Sequence, residues 1–156
     1  MRFIVTLLFF GALNASAQVK LLTLDKLEQR IAKGQDTIYV VNFWATWCGP
    51  CVEELPYFEK LNHAYQDKPI KVILMSMDFK SKLEKEVIPF VKKHKLSSET
   101  YVLNEVDPQA AIKRIDRKWS GAIPATWFIT RDRRVNTLVE KGFTYADLTN
   151  TLISLK

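Results

Sequence analysis

Two cysteines, Cys48 and Cys51, are the only thiols in this chain of 156 residues, and Gly49 and Pro50 separate them. A thiolate is a strong nucleophile, and a second thiol within its reach can displace a mixed disulfide, so this spacing suits thiol-disulfide exchange. Thr37 to Trp44 (TIYVVNFW) is β-branched, aromatic and almost continuously apolar, the pattern of a strand buried on both faces. Helix signals begin directly after it, at Gly49 and Pro50. A strand feeding into a helix at this point sets Cys48 at or just before the helix N-terminus, where unpaired N–H groups and the helix dipole favour a thiolate. Cys48 is therefore the candidate nucleophile. Cys51, on the first turn, is close enough to attack a mixed disulfide on Cys48. Gly49 leaves the first sulfur uncovered, and Pro50 falls where a missing N–H costs nothing.

Other uses of the pair fit less well. A structural disulfide ties distant segments together, whereas this one closes a very small loop and constrains almost nothing. A structural zinc site wants four ligands, and His63 and His94 do not form a second compact pair. Copper held by Cys48, Cys51 and Met75 or Met77 satisfies ligand softness, yet both methionines alternate within a strand pattern that explains them as core. A redox-linked module that holds copper or docks a partner without turnover stands as the alternative to an enzyme. Peroxide reduction ranks lower, because no threonine and arginine constellation can be set around Cys48.

The elements that must position the pair are legible along the chain. Leu21, Leu24, Leu27 and Ile31 recur at helical spacing, with Gly34 as a stop. Cys51 to Gln66 continues the helix after the buried strand, bent at Pro56. Ile70 to Met77 is a second strand, followed by a helix through Leu83, Val87, Phe90 and Val91 that Pro89 kinks or interrupts. Tyr101 to Leu103 is a short strand. Asp107 and Pro108 open a helix through Ile112 and Ile115. Ala125 to Thr130 and Val135 to Glu140 form a hairpin across Arg131 to Arg134, although that turn lacks a glycine. Thr144 and Asp147 make a capping box for a last helix through Leu148, Leu152 and Ile153. Parallel crossovers in the first half and an antiparallel hairpin in the second predict an α/β domain with a central mixed sheet flanked by helices.

Residues 1 to 17 read as a signal peptide. Met1 and Arg2 give a positive start, Phe3 to Leu13 an apolar run, and Ala15-Ser16-Ala17 a cleavage site, so the mature domain is expected to span residues 18–156. The run is far shorter than the roughly 20 apolar residues of a membrane span, which disfavours an uncleaved anchor and predicts a periplasmic or otherwise extracytoplasmic soluble product. The chain carries a formal charge of +6. Its lysines and arginines are scattered without the interleaved aromatics of a single-strand groove, so no nucleic-acid role is expected.

Val41 to Cys51 (VNFWATWCGPC), followed by Glu53-Glu54-Leu55-Pro56, resembles the thioredoxin superfamily, and most closely its exported TlpA and ResA type thiol-disulfide oxidoreductases. Gly121 to Ile129 (GAIPATWFI) is similar to that family's cis-proline segment. The resemblance covers essentially the whole mature chain. It implies a thioredoxin-like fold, with an extra helix supplied by an insertion before the cis-proline segment, including Ser81 to Asn104. It implies that Cys48 attacks, Cys51 resolves, and Pro124 is cis and faces the pair. Trp44 and Trp47 resemble the family's aromatic surround, with plain packing an equal account of Trp44. Asn42 stands where cytoplasmic thioredoxins carry a buried aspartate and cannot exchange a proton in the physiological range. Glu54, three residues after Cys51, occupies the place of a glutamate that takes a related role in the exported branch.

The resemblance implies reduction of disulfides in selected exported proteins, apocytochrome c cysteines being one class. A membrane electron donor would re-reduce the pair, and no cofactor is required.

Overall fold

The computed structural model describes residues 18–155. The expected signal peptide lies outside them.

Six strands form one sheet in the order β1-β4-β3-β2-β5-β6. These are β1 (Lys20–Leu22), β2 (Ile38–Trp44), β3 (Ile70–Ser76), β4 (Glu99–Leu103), β5 (Ala125–Ile129) and β6 (Asn136–Val139). The four strands from β1 to β2 run parallel, while β5 is antiparallel to β2 and β6 to β5. Five helices cover the sheet: α1 (Leu24–Ala32), α2 (Gly49–Ala64), α3 (Ile88–Lys93), α4 (Pro108–Ile115) and α5 (Tyr145–Ser154).

All seven residues of β2 are buried, as its continuous apolarity requires of a central strand. Alternation divides its side chains between two cores. Ile38, Val40 and Trp44 pack with Cys51, Leu55, Phe58 and Leu61 of α2, Val91 of α3, and Leu148 and Leu152 of α5. Tyr39, Val41 and Phe43 pack on the opposite face with Leu24, Leu27 and Ile31 of α1, and with Ala111, Ile112 and Ile115 of α4.

Two regions depart from the sequence reading. Leu21 belongs to β1 rather than to the first helix, which begins at Leu24 behind Thr23. The leucine spacing fits a longer helix, but Thr23 takes the extended N-cap conformation and its hydroxyl accepts the Lys26 N–H. Lys20 to Leu22 instead pair with Tyr101 to Leu103 of β4, a partner 81 residues away that periodicity cannot reveal. The segment before α3 is a 3₁₀ turn (Lys80–Lys82) followed by a wider π turn (Leu83–Val87). Pro89 lies in the first turn of α3, where its missing N–H is tolerated, so the regular helix starts there instead of running through it. The insertion also contributes a strand, β4, which fills the sheet between β1 and β3.

Candidate active site

β2 delivers the chain to its carboxyl end at Trp44, and a tight turn closed by the Cys48 N–H on the Ala45 carbonyl (3.1 Å) leads into α2. Cys48 is the N-cap residue, in extended conformation, and its carbonyl accepts the first helical bond from the Val52 N–H at 3.0 Å. Among the first three helical residues only Gly49 and Cys51 carry an N–H, and the first turn contains no acidic side chain. The dipole end of α2 therefore faces the first sulfur without a competing carboxylate. Cys48 and Cys51 are joined as a disulfide with Cα atoms 5.3 Å apart. Cys48 keeps 7% exposure and Cys51 none, so the first sulfur is the one an incoming group can reach.

Glu54 lies one turn beyond Cys51 on the same helix face and is only 3% exposed. One carboxyl oxygen accepts the Asn42 side-chain amide at 2.7 Å, and the other accepts the Phe143 backbone N–H at 2.7 Å. Asn42 reaches it because even-numbered residues of β2 point toward α2. The same amide nitrogen donates at 3.3 Å to Thr126 Oγ1, directly across the β2–β5 ladder. Burial raises the Glu54 carboxyl above its ordinary range, and the donors from Phe143 and Asn42 oppose that rise only in part. The result is a carboxylate that takes a proton more readily than one in water.

The Ile123–Pro124 peptide bond is cis. Cys48 Sγ lies 3.9 Å from the Ile123 carbonyl oxygen, so the segment before β5 borders the exposed sulfur. A Cβ on Gly142 would sit 3.6 Å from Glu54 and 3.8 Å from Pro124, which brings the β6–α5 connection against both. Trp44 is fully buried and packs on Phe90 of α3 with ring centroids 5.2 Å apart. Trp47 is 68% exposed beside the pair.

Cys48, Cys51, Glu54 and Asn42 thus come together, with Pro124 at their edge. Other residues named from the sequence do not join them. Met75 packs in the core on the far face of the sheet, with Met77 against that same core, so neither shares a face with the sulfurs as the copper alternative needs. His63 sits in the last turn of α2, roughly 18 Å along the helix from Cys51, and His94 stacks on Phe90. No cluster of three or more metal-binding acidic, histidine or cysteine side chains occurs among the described residues. The sequence reading missed Thr126 and the Phe143 N–H. Thr126 is foreseeable once strand register is known, whereas a backbone donor from a loop leaves no sequence signal.

Comparison with known proteins places this geometry in a family. The chain is 30% identical over 105 residues to the thiol-disulfide oxidoreductase ResA of Oceanobacillus iheyensis, a match covering 67% of this chain and 50% of that protein. Across the curated relatives first matched, it spans about half of their length. Its fold is similar to that of a thioredoxin-related protein from Neisseria meningitidis serogroup B, with TM-score 0.66 and 20% identity over 78% of this chain and 86% of the other. It is also similar to a secreted Mycobacterium tuberculosis disulfide oxidoreductase homologous to E. coli DsbE, with TM-score 0.58 and 19% identity over 79% and 85% of the two chains. The fold is thioredoxin-like, as the resemblance of the cysteine segment implied. A family model matches residues 14–137, most of the chain, and on that match the protein belongs to the AhpC/TSA family.

Proposed function

We propose that the chain is an exported thiol-disulfide oxidoreductase that reduces disulfides in selected exported proteins, apocytochrome c cysteines among them. The observation that carries this reading is the graded burial of three groups on one helix: Cys48 reachable at the start of α2, Cys51 fully buried, and Glu54 buried one turn further on. The Cys48 thiolate attacks a substrate disulfide, forms a mixed disulfide and expels one substrate thiolate, which takes a proton. Cys51 then gives its proton to Glu54 and attacks the Cys48 sulfur. That step releases the second substrate thiolate and leaves the Cys48–Cys51 disulfide, so two electrons pass from the enzyme dithiol to the substrate.

Pro124 offers no N–H to compete for the sulfur, and the Ile123 backbone before it can pair with an extended substrate segment. Re-reduction requires a dithiol donor, which for an exported protein means a membrane electron carrier. Export is supported by the leader pattern over residues 1–17. No helix among the described residues is long and apolar enough to cross a membrane.

The test is to replace Cys51 with Ser in the exporting host and identify the proteins captured on Cys48. Adducts that depend on Cys48 are expected, and their absence would remove protein disulfides as substrates. Equilibration with glutathione fixes direction: a potential near −120 mV, that of a strong oxidant, would overturn the reductase assignment.

A further inference from the structure

We propose that Asp78 is a positioning residue for Cys48, acting through Thr46 in the turn that carries the nucleophile; the inference rests on the oxidoreductase reading above. The paired β2–β3 ladder ends at Trp44 and Ser76, and one more backbone bond, Met77 N–H to the Trp44 carbonyl at 2.7 Å, extends it. The next link is made by a side chain. One oxygen of the Asp78 carboxylate accepts the Thr46 backbone N–H at 2.9 Å, and the other accepts the Thr46 hydroxyl at 2.7 Å. Ser76 anchors Asp78 in turn, its hydroxyl donating to the carboxylate at 2.7 Å and accepting the Asp78 N–H at 3.0 Å.

Asp78 is 3% exposed, and a carboxylate so buried is costly unless donors surround it. Here two donors, the Thr46 N–H and hydroxyl, come from two residues before the reactive sulfur, and the Ser76 hydroxyl supplies a third. The turn is held on its inner side by the Cys48 N–H to Ala45 bond and on its outer side by Asp78. Both restraints fix where the N-cap residue meets the free N–H groups of α2. Asp78 takes no part in moving protons or electrons in the exchange sequence.

The variants D78A, D78N and T46V separate placement from charge. In D78N the side-chain oxygen can still accept from Thr46 N–H and Ser76, while the new amide donates to the Thr46 hydroxyl, which rotates to accept. D78A removes the carboxylate restraint on Thr46 and leaves the turn held by the Cys48–Ala45 bond. We measure the plateau rate of Cys48 alkylation by iodoacetamide at high pH, and the rate of attack on a small aromatic disulfide, in the reduced full chain. D78A is expected to slow both by about tenfold or more, D78N to recover to within about threefold of wild type, and T46V to fall between them. Wild-type rates in D78A, or a D78N as slow as D78A, would overturn the proposal. If D78A shows no cooperative unfolding in urea, T46V decides, and wild-type rates there would overturn it equally. A wild-type protein that alkylates normally but exchanges with no disulfide would instead refute the oxidoreductase reading.

Discussion

Glu54 is a buried carboxyl one turn beyond Cys51, and on the proposed mechanism its protonation state governs resolution of the mixed disulfide. Its folded pKa is raised, so the folded protein holds that proton more tightly than the unfolded chain does. Stability associated with this group is therefore present below the unfolded carboxyl value of about 4.3, is lost as pH rises through the raised folded value, and does not return above it. Glu54→Gln has no such loss. Urea unfolding of both oxidised proteins at pH 4 and pH 8 should show wild type losing ground to the variant as pH increases. The opposite trend would mean that the Asn42 and Phe143 donors outweigh burial. In the reduced proteins at neutral pH, the same substitution should slow decay of the Cys48 mixed disulfide by about 100-fold or more while leaving the first attack nearly unchanged. Stopped-flow comparison of the two phases tests this, and equal decay rates would return Glu54 to a purely structural role. Cys48 and Cys51 stood out by their spacing, whereas Glu54 was named through the resemblance of its segment to the exported oxidoreductases. Asp78 carries no such signal, because what it holds depends on how β2 and β3 end side by side.

At the scale of elements, local signals succeeded where both partners lie within one turn. Thr144 caps α5 by accepting the Asp147 N–H, and the Asp147 side chain accepts from the Thr144 backbone, the capping box written in four consecutive residues. Thr144→Ala should lower stability by about 1 kcal/mol, read as a shift in the urea midpoint at constant slope. An unchanged midpoint would show that packing of Leu148 and Leu152 alone holds the helix against α2. The β5–β6 turn was legible in position but not in construction. Arg133 takes a positive φ of 58° where glycine is usual. Asp132 compensates by accepting from the Thr130 hydroxyl and the Arg134 N–H, and the Thr130 carbonyl accepts the Arg133 N–H. Strand β1 was not legible, since three residues give no usable alternation and their partner is distant in sequence.

For the molecule as a whole, the cysteine pair belongs to one of two cores that sandwich a shared sheet, so its redox state and its folding are thermodynamically linked. Cys48 and Cys51 lie in the same buried cluster as Leu55, Phe58 and Phe128, and unfolding takes both sulfurs out of it. The linkage closes a cycle: the difference in unfolding free energy between oxidised and reduced protein equals the difference in disulfide free energy between the folded and unfolded chain, about 1.4 kcal/mol for each 30 mV. A reductase needs a folded pair more reducing than the same four residues in an unfolded chain, which requires the folded state to favour the disulfide. Close packing around a fully buried Cys51 agrees with that sign, because a thiolate there would be poorly solvated. The oxidised protein should therefore unfold at higher urea concentration than the reduced protein at the same pH. Strong oxidants show the reverse order, because their reduced form is the one stabilised. A reduced protein that outlasts the oxidised one in urea would thus assign the pair to disulfide donation, independently of any substrate.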